Sequence, residues 1–178
     1  MNIVETARLR LRTITLDDAD VEFHLALLND PAFIENIGDR GVRTLDDSRR
    51  YIADGPVAMQ GRYGHSMYVV ELKDSGVPIG MCGLIKRETL VDVDIGYAFL
   101  PEYRGAGYAY EAARATVEHA RELGIERLAG ITSPDNVASN ALLQKLGLRF
   151  KCVMHLTPDD TGTNFYIALL NNSSSAAA

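Results

Sequence analysis

The clearest pattern along the chain is an alternation. Val91, Val93, Ile95, Tyr97 and Phe99 are apolar with smaller or charged residues between them, which predicts a strand over 91–99. Pro101 ends it, because proline has no N–H to give a ladder. The period then changes. Ala109, Ala112, Ala113, Val117 and Ala120 recur at helical spacing and predict a helix with a small apolar face, stopping near Gly124. Arg104-Gly105-Ala106-Gly107 joins the two elements.

Patterning elsewhere is weaker but readable. Arg8 to Ile14 reads as a strand with Arg8, Arg10 and Arg12 on a solvated face. Thr15 or Asp17 can cap a helix running to about Asn29, with Ala19, Phe23, Leu27 and Leu28 inward and Asp17, Asp18 and Asp20 in its first turns. Asn29-Asp30-Pro31 breaks that helix. A helical turn over 32–37 and a loop over 38–41 lead to a third helix, Leu45 to Asp54, capped by Thr44 and ended by Gly55-Pro56. Strands are expected over 65–72 and 78–86, joined by the turn Asp74-Ser75-Gly76, with Gly80 or Gly83 marking a bulge. A strand over 127–132, a helix over 138–146 closed by Gly147, and a hairpin of 150–156 with 164–170 complete the pattern. The order is strand, helices, three antiparallel-type strands, helix, strand, helix, two strands. It predicts a single mixed α/β domain over residues 1–172, with 173–178 a polar, alanine-rich tail or cloning remnant.

Composition narrows the function classes. The chain is 47% hydrophobic, enough for a core, yet no apolar run approaches the roughly 20 residues that span a bilayer. The N-terminal MNIVETARLRLR is interrupted by charge and is not a signal peptide, so a cytoplasmic protein without membrane partners is expected. A net charge of −6 argues against a general grip on nucleic acid. Cys82 and Cys152 both sit in strand-like apolar surroundings and are expected to be buried free thiols; no metal site is expected.

The candidate chemistry lies in the strand, glycine loop and helix. The first N–H groups of a helix lack intrahelical partners, and the helix dipole adds partial positive charge there. Glycines allow close backbone approach, and Arg104 adds a full charge, so the loop suits phosphate. Two phosphate motifs fail: no Lys-Ser or Lys-Thr follows for a P-loop, and Gly105-x-Gly107 is followed by Tyr110 where a dinucleotide fingerprint needs glycine. Arg104-x-x-Gly107-x-Ala109 instead resembles the pyrophosphate-binding motif of the GNAT superfamily of acyl-coenzyme A N-acyltransferases. The preceding segment, Asp94 to Gly105, looks like that family's fourth strand and loop. About thirty residues on, Ser133-Pro-Asp-Asn136-Val-Ala-Ser139, with Lys145-Leu-Gly147 and Phe150, resembles the family's Asn-x-x-Ser and Lys-Leu-Gly-Phe stretch. The wording is similar to the branch named for acetylation of ribosomal-protein N-termini, over roughly residues 5–170.

The resemblance implies a GNAT fold, a mostly antiparallel sheet splayed between its fourth and fifth strands, with acyl-CoA in the gap. It implies acetyl-CoA as cosubstrate and a primary amine as acceptor, either a protein or peptide N-terminus or a small molecule. It implies a cofactor cradle of Gly105, Ala106, Gly107, Tyr108 and Ala109 with Arg104, backbone groups near Tyr97 and Phe99 for the pantetheine, Asn136 on a pantetheine amide, and Ser139 near the sulfur. N-acyl transfer needs an amine to lose a proton, with pKa about 10.4 for lysine and about 7.7–8.0 for an α-amino group. It also needs donors for an oxyanion, and a proton for the leaving thiolate. Asp94 is the expected base. The branch usually carries glutamate there, so the shorter aspartate makes a water relay a natural variant. Asp92 could share its face, and Glu35 is a lesser candidate. Many family members use a tyrosine in the last helix as acid; here 138–146 has none, leaving Ser139, Tyr108, Tyr103 or solvent. The four histidines fall outside any motif. The resemblance implies an N-acetyltransferase, monomer or homodimer. The rival reading is a non-catalytic acyl-CoA-binding sensor that keeps the loop and lacks a base.

Overall fold

A computed structural model describes residues 1–158 and 160–170; the expected tail over 173–178 lies outside them. The strands are β1 (Asn2–Glu5), β2 (Leu9–Thr13), β3 (Met67–Leu72), β4 (Pro78–Ile85), β5 (Val93–Phe99), β6 (Arg127–Thr132), β7 (Arg149–Met154) and β8 (Thr163–Leu169). The helices are α1 (Asp18–Leu28), α2 (Pro31–Asn36), α3 (Leu45–Ile52), α4 (Ala58–Tyr63), α5 (Tyr108–Glu122) and α6 (Val137–Lys145). Sequence patterning missed β1. It is four residues long and is held by pairing with β2, from Asn2 opposite Arg12 to Glu5 opposite Arg10, not by any alternation of its own. The fourth and fifth strands of the expected fold are therefore β5 and β6.

One sheet runs β1-β2-β3-β4-β5-β6-β8-β7. Every neighbouring pair is antiparallel except β5 and β6, which α5 connects as a parallel crossover. That pair is registered only at Val93 with Leu128 and Asp94 with Ala129. The antiparallel partners on either side, β4 with β5 and β6 with β8, are registered along their lengths. The two parallel strands therefore diverge beyond Asp94, and the sheet splits there.

Alternation sorts each strand between two cores. Ile95 and Phe99 of β5 pack with Ala112, Ala113, Val117 and Ala120 of α5, and Leu143 of α6 joins this cluster. Ala98 lies on the opposite face, packed against a second cluster of Val21, Phe23, Leu27, Ile52, Val69 and Met81 beneath α1 and α3. The glycines of β4 serve close approach. A Cβ on Gly83 would lie 2.1 Å from the Ser66 carbonyl oxygen. The bulge falls beside Gly80, where the β3/β4 register shifts between Val70 and Glu71.

Four expectations change. Gly55-Pro56 does not end the third helix: a π-turn over Ala53–Val57 absorbs the proline, and the chain continues directly into α4. A proline clashes with the carbonyl four residues back, and the wider π-turn relieves that clash. On α1 the inward residue is Asp20, whereas Ala19 is exposed. Asp20 accepts two hydrogen bonds from the Arg12 guanidinium at 2.8 Å and others from the Thr15 backbone and hydroxyl. Arg10 and Arg12 also clamp Glu71 at 2.8 Å, so the arginine face is an ion-pair network. Cys82 is buried, as expected, but Cys152 is exposed because β7 is the sheet's edge strand.

Burial opposes the Asp20 charge, but the bonds from Arg12 and Thr15 outweigh it and lower its pKa. Its stabilising contribution is thus present above the unfolded-state value of about 3.9 and is lost as pH falls through the folded value. Asp20→Asn is expected to cost about 2 kcal/mol at pH 7 by denaturant unfolding. The gap to the unmutated protein should close on acidification below about pH 4.

Candidate active site

The loop between β5 and α5 is shaped by its glycines. Gly105 and Gly107 lie in the left-handed region, at φ 75° and 83°, where a side chain would strain the backbone. Gly107 is the N-cap of α5, and no side chain caps the helix's first N–H groups. A fifteen-residue helix thus opens uncapped on a cavity that Gly105, Gly107, Tyr108 and Ala109 line. Ala106 is not in that lining; its carbonyl accepts from Arg8 Nη1 at 3.0 Å. Arg8 also pairs with Glu111 at 2.6 Å, and its guanidinium lies 4.4 Å from the Tyr108 ring centre.

Arg104 does not point its charge freely at the loop. Its Nε donates to the Phe99 carbonyl at 2.9 Å and its Nη2 to the carboxylate of Asp30. Asp30 in turn caps α2 by accepting from the Phe33 N–H at 3.1 Å. Arg104 therefore ties the glycine loop to the helices on the other face of the sheet.

The facing wall is α6. Asn136 Oδ1 accepts from the Ser139 N–H at 3.0 Å, while its Nδ2 has no partner among the described residues. Ser139 meets the side chain of Tyr97 across the split, hydroxyl to hydroxyl at 2.9 Å. Burial pushes the Tyr97 phenol up to about 12, against the opposing hydrogen bond from Ser139, so it holds its proton at neutral pH. Patterning marked Tyr97 for its backbone alone; its odd-numbered place beside Ile95 and Phe99 was the available sign that the side chain turns toward α6. Asn140 also went unmarked. Its Nδ2 gathers the carbonyls of Ser133, Pro134 and Asn136, and its Oδ1 accepts from Asn164 and Tyr166, pinning the 133–136 loop to β8.

Asp94 sits where the two parallel strands part. It is 1% exposed, and Arg87 Nε donates to its Oδ1 at 2.9 Å. Its Oδ2 is buried without a partner, alone among the described residues' sealed side-chain nitrogens and oxygens. Burial raises its pKa, and the neighbouring Arg87 opposes that rise. Asp92 does not line the cavity: it precedes β5 and pairs with Arg127 at 3.1 Å. Glu35 is exposed and away from the cavity lining. Among the histidines, His24 lines the cavity. His65 bonds the Leu84 carbonyl, His119 the Tyr68 hydroxyl and His155 the Asp160 carbonyl.

The cavity runs through the split, from the glycine loop on the α5 side to α1 and the π-turn on the other, with Asp94, Tyr97, Phe99, Asn136 and Ser139 along the way. Its volume, about 1420 Å³, exceeds the roughly 300–1,000 Å³ of a usual small-molecule site. That is room for two reactants at once. No group of three or more His, Cys, Asp or Glu among the described residues could hold a metal ion, and no helix there is long and apolar enough to cross a membrane.

A sheet split after its central strand, an uncapped glycine-loop helix on one bank and a capped helix on the other define an acyltransferase fold. The family profile described as Acetyltransferase (GNAT) domain matches residues 8–149, and the chain belongs to that family. It is accordingly an acetyl-CoA-dependent acyltransferase. The uncharacterized protein YkkB of Bacillus subtilis is 31% identical over 148 residues, 82% of this chain and 84% of its own. The uncharacterized N-acetyltransferase YoaA of the same organism is 28% identical over 165 residues, 92% of each chain. Among solved structures, an acetyltransferase from Salmonella typhimurium, described as modifying the N-terminal serine of ribosomal protein L7/L12, superposes with a TM-score of 0.77 at 20% identity. That match covers 96% of this chain and all of that one.

The position of Asp94 has a consequence for stability. A carboxyl whose folded pKa is raised favours the fold below the unfolded-state value of about 3.9, and that contribution is lost as pH rises through the folded value. At neutral pH its charge therefore weighs against folding. Asp94→Asn is expected to be more stable than the unmutated protein at pH 7.5, on the order of 1 kcal/mol by thermal unfolding. The advantage should shrink toward pH 4.

Proposed function

We propose that the protein transfers the acetyl group of acetyl-CoA to a primary amine, by direct attack with both reactants bound. Asp94 is the base on this reading, and the Tyr97–Ser139 pair is the proton source. The observation that carries it is Asp94 Oδ2, a buried carboxylate oxygen with no partner, beside the one gap in the sheet. A buried carboxylate oxygen left without a partner is costly even though Arg87 answers the other one, and an ammonium group reaching it would offset that cost.

The residues present fit acetyl-CoA. The N–H groups of Gly107, Tyr108 and Ala109 at the uncapped end of α5 suit its pyrophosphate. The β5 backbone beyond Asp94, unpaired on its β6 side, suits an extended chain with amides, and Asn136 Nδ2 is free to donate to one of them. When bound, acetyl-CoA supplies a thioester carbonyl whose carbon forms a bond to the amine nitrogen and loses its bond to sulfur. Arg87 holds Oδ1 and so orients Asp94, leaving Oδ2 to take the amine's proton, directly or through a water. The raised pKa makes Asp94 a stronger base than an ordinary carboxylate. The Ser139 hydroxyl, bonded to Tyr97 Oη, holds a proton for the departing sulfur. It occupies the role for which α6 has no tyrosine.

The acceptor is an α-amine of a protein or peptide, or a small-molecule amine. A structural neighbour described as acting on a ribosomal-protein N-terminal serine favours the first. Asp94→Asn should keep acetyl-CoA affinity within about twofold by calorimetry and lose roughly 10²–10⁴ in kcat, the usual share of a general base. Binding without turnover in the unmutated protein, across peptide and small-amine acceptors, would instead mark an acyl-CoA sensor. Arg87→Gln removes the group that holds the Asp94 pKa down. The acidic limb of kcat/KM should therefore move to higher pH in that variant; an unmoved limb would take the base role away from Asp94.

A further inference from the structure

α1 turns a helical stripe inward: Val21, Phe23, Leu27 and Leu28 are apolar, and His24, 2% exposed, stands among them. Burying an imidazole is unfavourable unless its nitrogens find partners, and a leucine would fill the place without that cost. Only one nitrogen is satisfied from within the protein. His24 Nδ1 lies 3.0 Å from Ser48 Oγ, and the Ser48 hydroxyl donates to the Val21 carbonyl, also at 3.0 Å.

These two bonds fix the tautomer. Ser48 has one hydroxyl hydrogen and spends it on Val21. Ser48 Oγ must then accept from His24, so the proton sits on Nδ1 and Nε2 is left as a bare lone pair. Nε2 has no partner among the described residues, yet it is not sealed in the core, since the one sealed and unpartnered side-chain atom there is Asp94 Oδ2. His24 lines the cavity that Asp94 also lines, and its ring packs 5.4 Å from that of Tyr51. Burial pushes its pKa down to about 4, so the ring stays neutral and Nε2 remains an acceptor.

We infer that His24 reads the acceptor substrate: its Nε2 accepts a hydrogen bond from a hydroxyl or amide N–H carried by the amine, and so selects primary amines bearing a second donor. This rests on the N-acetylation reading above. The chemistry follows from the lone pair. A substrate with a donor placed there completes the chain Val21 carbonyl, Ser48, His24, substrate. One with a methyl group in its place leaves a buried acceptor unmet and is disfavoured.

The test compares acceptors matched but for that donor, with acetyl-CoA as the other substrate. The pairs are Ser- against 2-aminobutyrate-headed tetrapeptides, ethanolamine against propylamine, and glycine N-methylamide against glycine N,N-dimethylamide. The unmutated protein should favour the donor-bearing member of at least one pair by roughly tenfold in kcat/KM, the worth of one such bond. In His24→Phe that ratio should fall toward one. Should that variant not fold, His24→Met, flexible and without a nitrogen, gives the same reading. Nitrogen-15 NMR of the unmutated protein should show His24 protonated at Nδ1 and bare at Nε2, without titration between pH 6 and 8. A ratio near one for every pair, a ratio that survives in the variants, or the opposite tautomer would make His24 a packing residue and overturn the inference alone. Absence of acetylation on every acceptor would overturn the N-acetylation reading and this inference with it.

Discussion

The structure turns on an interruption of one hydrogen-bond ladder. β5 and β6 are joined for two residues and then part. Backbone N–H and C=O groups seldom go unpaired in a protein interior, so such a split must be held open and its exposed edge given something to bind. Three features hold it. α5 and α6 pack on the same face but on opposite sides of the gap, Tyr97 and Ser139 bridge it as a hydroxyl pair, and Asn140 ties the β6–α6 loop to β8. The crossover through α5 brings the uncapped helix end to the mouth of the gap. The strand edge that would carry an extended chain and the N–H groups that would carry phosphate come from the same stretch of sequence.

The same interruption accounts for Asp94. At the last position paired with β6 the carboxylate is buried, and beyond it β5 has no strand on its β6 side. Arg87 satisfies one oxygen and nothing satisfies the other. Such a group is poorly placed for stability, and burial strengthens it as a base, which is the property the proposed reaction uses. His24 repeats the arrangement with a neutral ring: one nitrogen is held by Ser48, the other has no partner among the described residues, and the residue lines the same cavity.

What the sequence made legible was local. β5, the glycine loop and α5 follow one another within thirty residues, and each announces itself by its own period, so the strand, loop and helix appear where expected. The Asn136 to Ser139 turn was legible for the same reason. What was not legible depended on partners far along the chain. β1 exists through β2, and Asp20 is inward because Arg12 and Thr15 meet it there. Arg87 and Asp94 are close in sequence, but nothing in the spacing says that one oxygen is bonded and the other left alone. Gly55-Pro56 read as a helix end because proline's cost is judged against an α-helical turn, and a π-turn changes the terms of that judgement. His24 sat at a core position of a correctly placed helix. Its meaning came only from Ser48, twenty-four residues away, and from the single hydrogen that Ser48 can donate.

Arg104 shows why a loop motif must be read with its surroundings. By itself it adds positive charge to a phosphate cradle; in the fold its charge is answered by Asp30, and the charge of Arg8 on the other side of the loop is answered by Glu111. With both arginines paired, the pull on an anion at this loop rests on the unpaired N–H groups of α5 and on glycines that let a ligand approach them, a directional field of short range. The arginines instead fix where that field points. Arg8 holds the Ala106 carbonyl from the β2 side, and Arg104 holds the end of β5 against the cap of α2. Because α2 and the π-turn line the far side of the cavity, the Arg104–Asp30 pair links the glycine loop to that side, and on the proposed reading it spaces the two reactants. A direct transfer between two bound reactants depends on that spacing more than on any single charge.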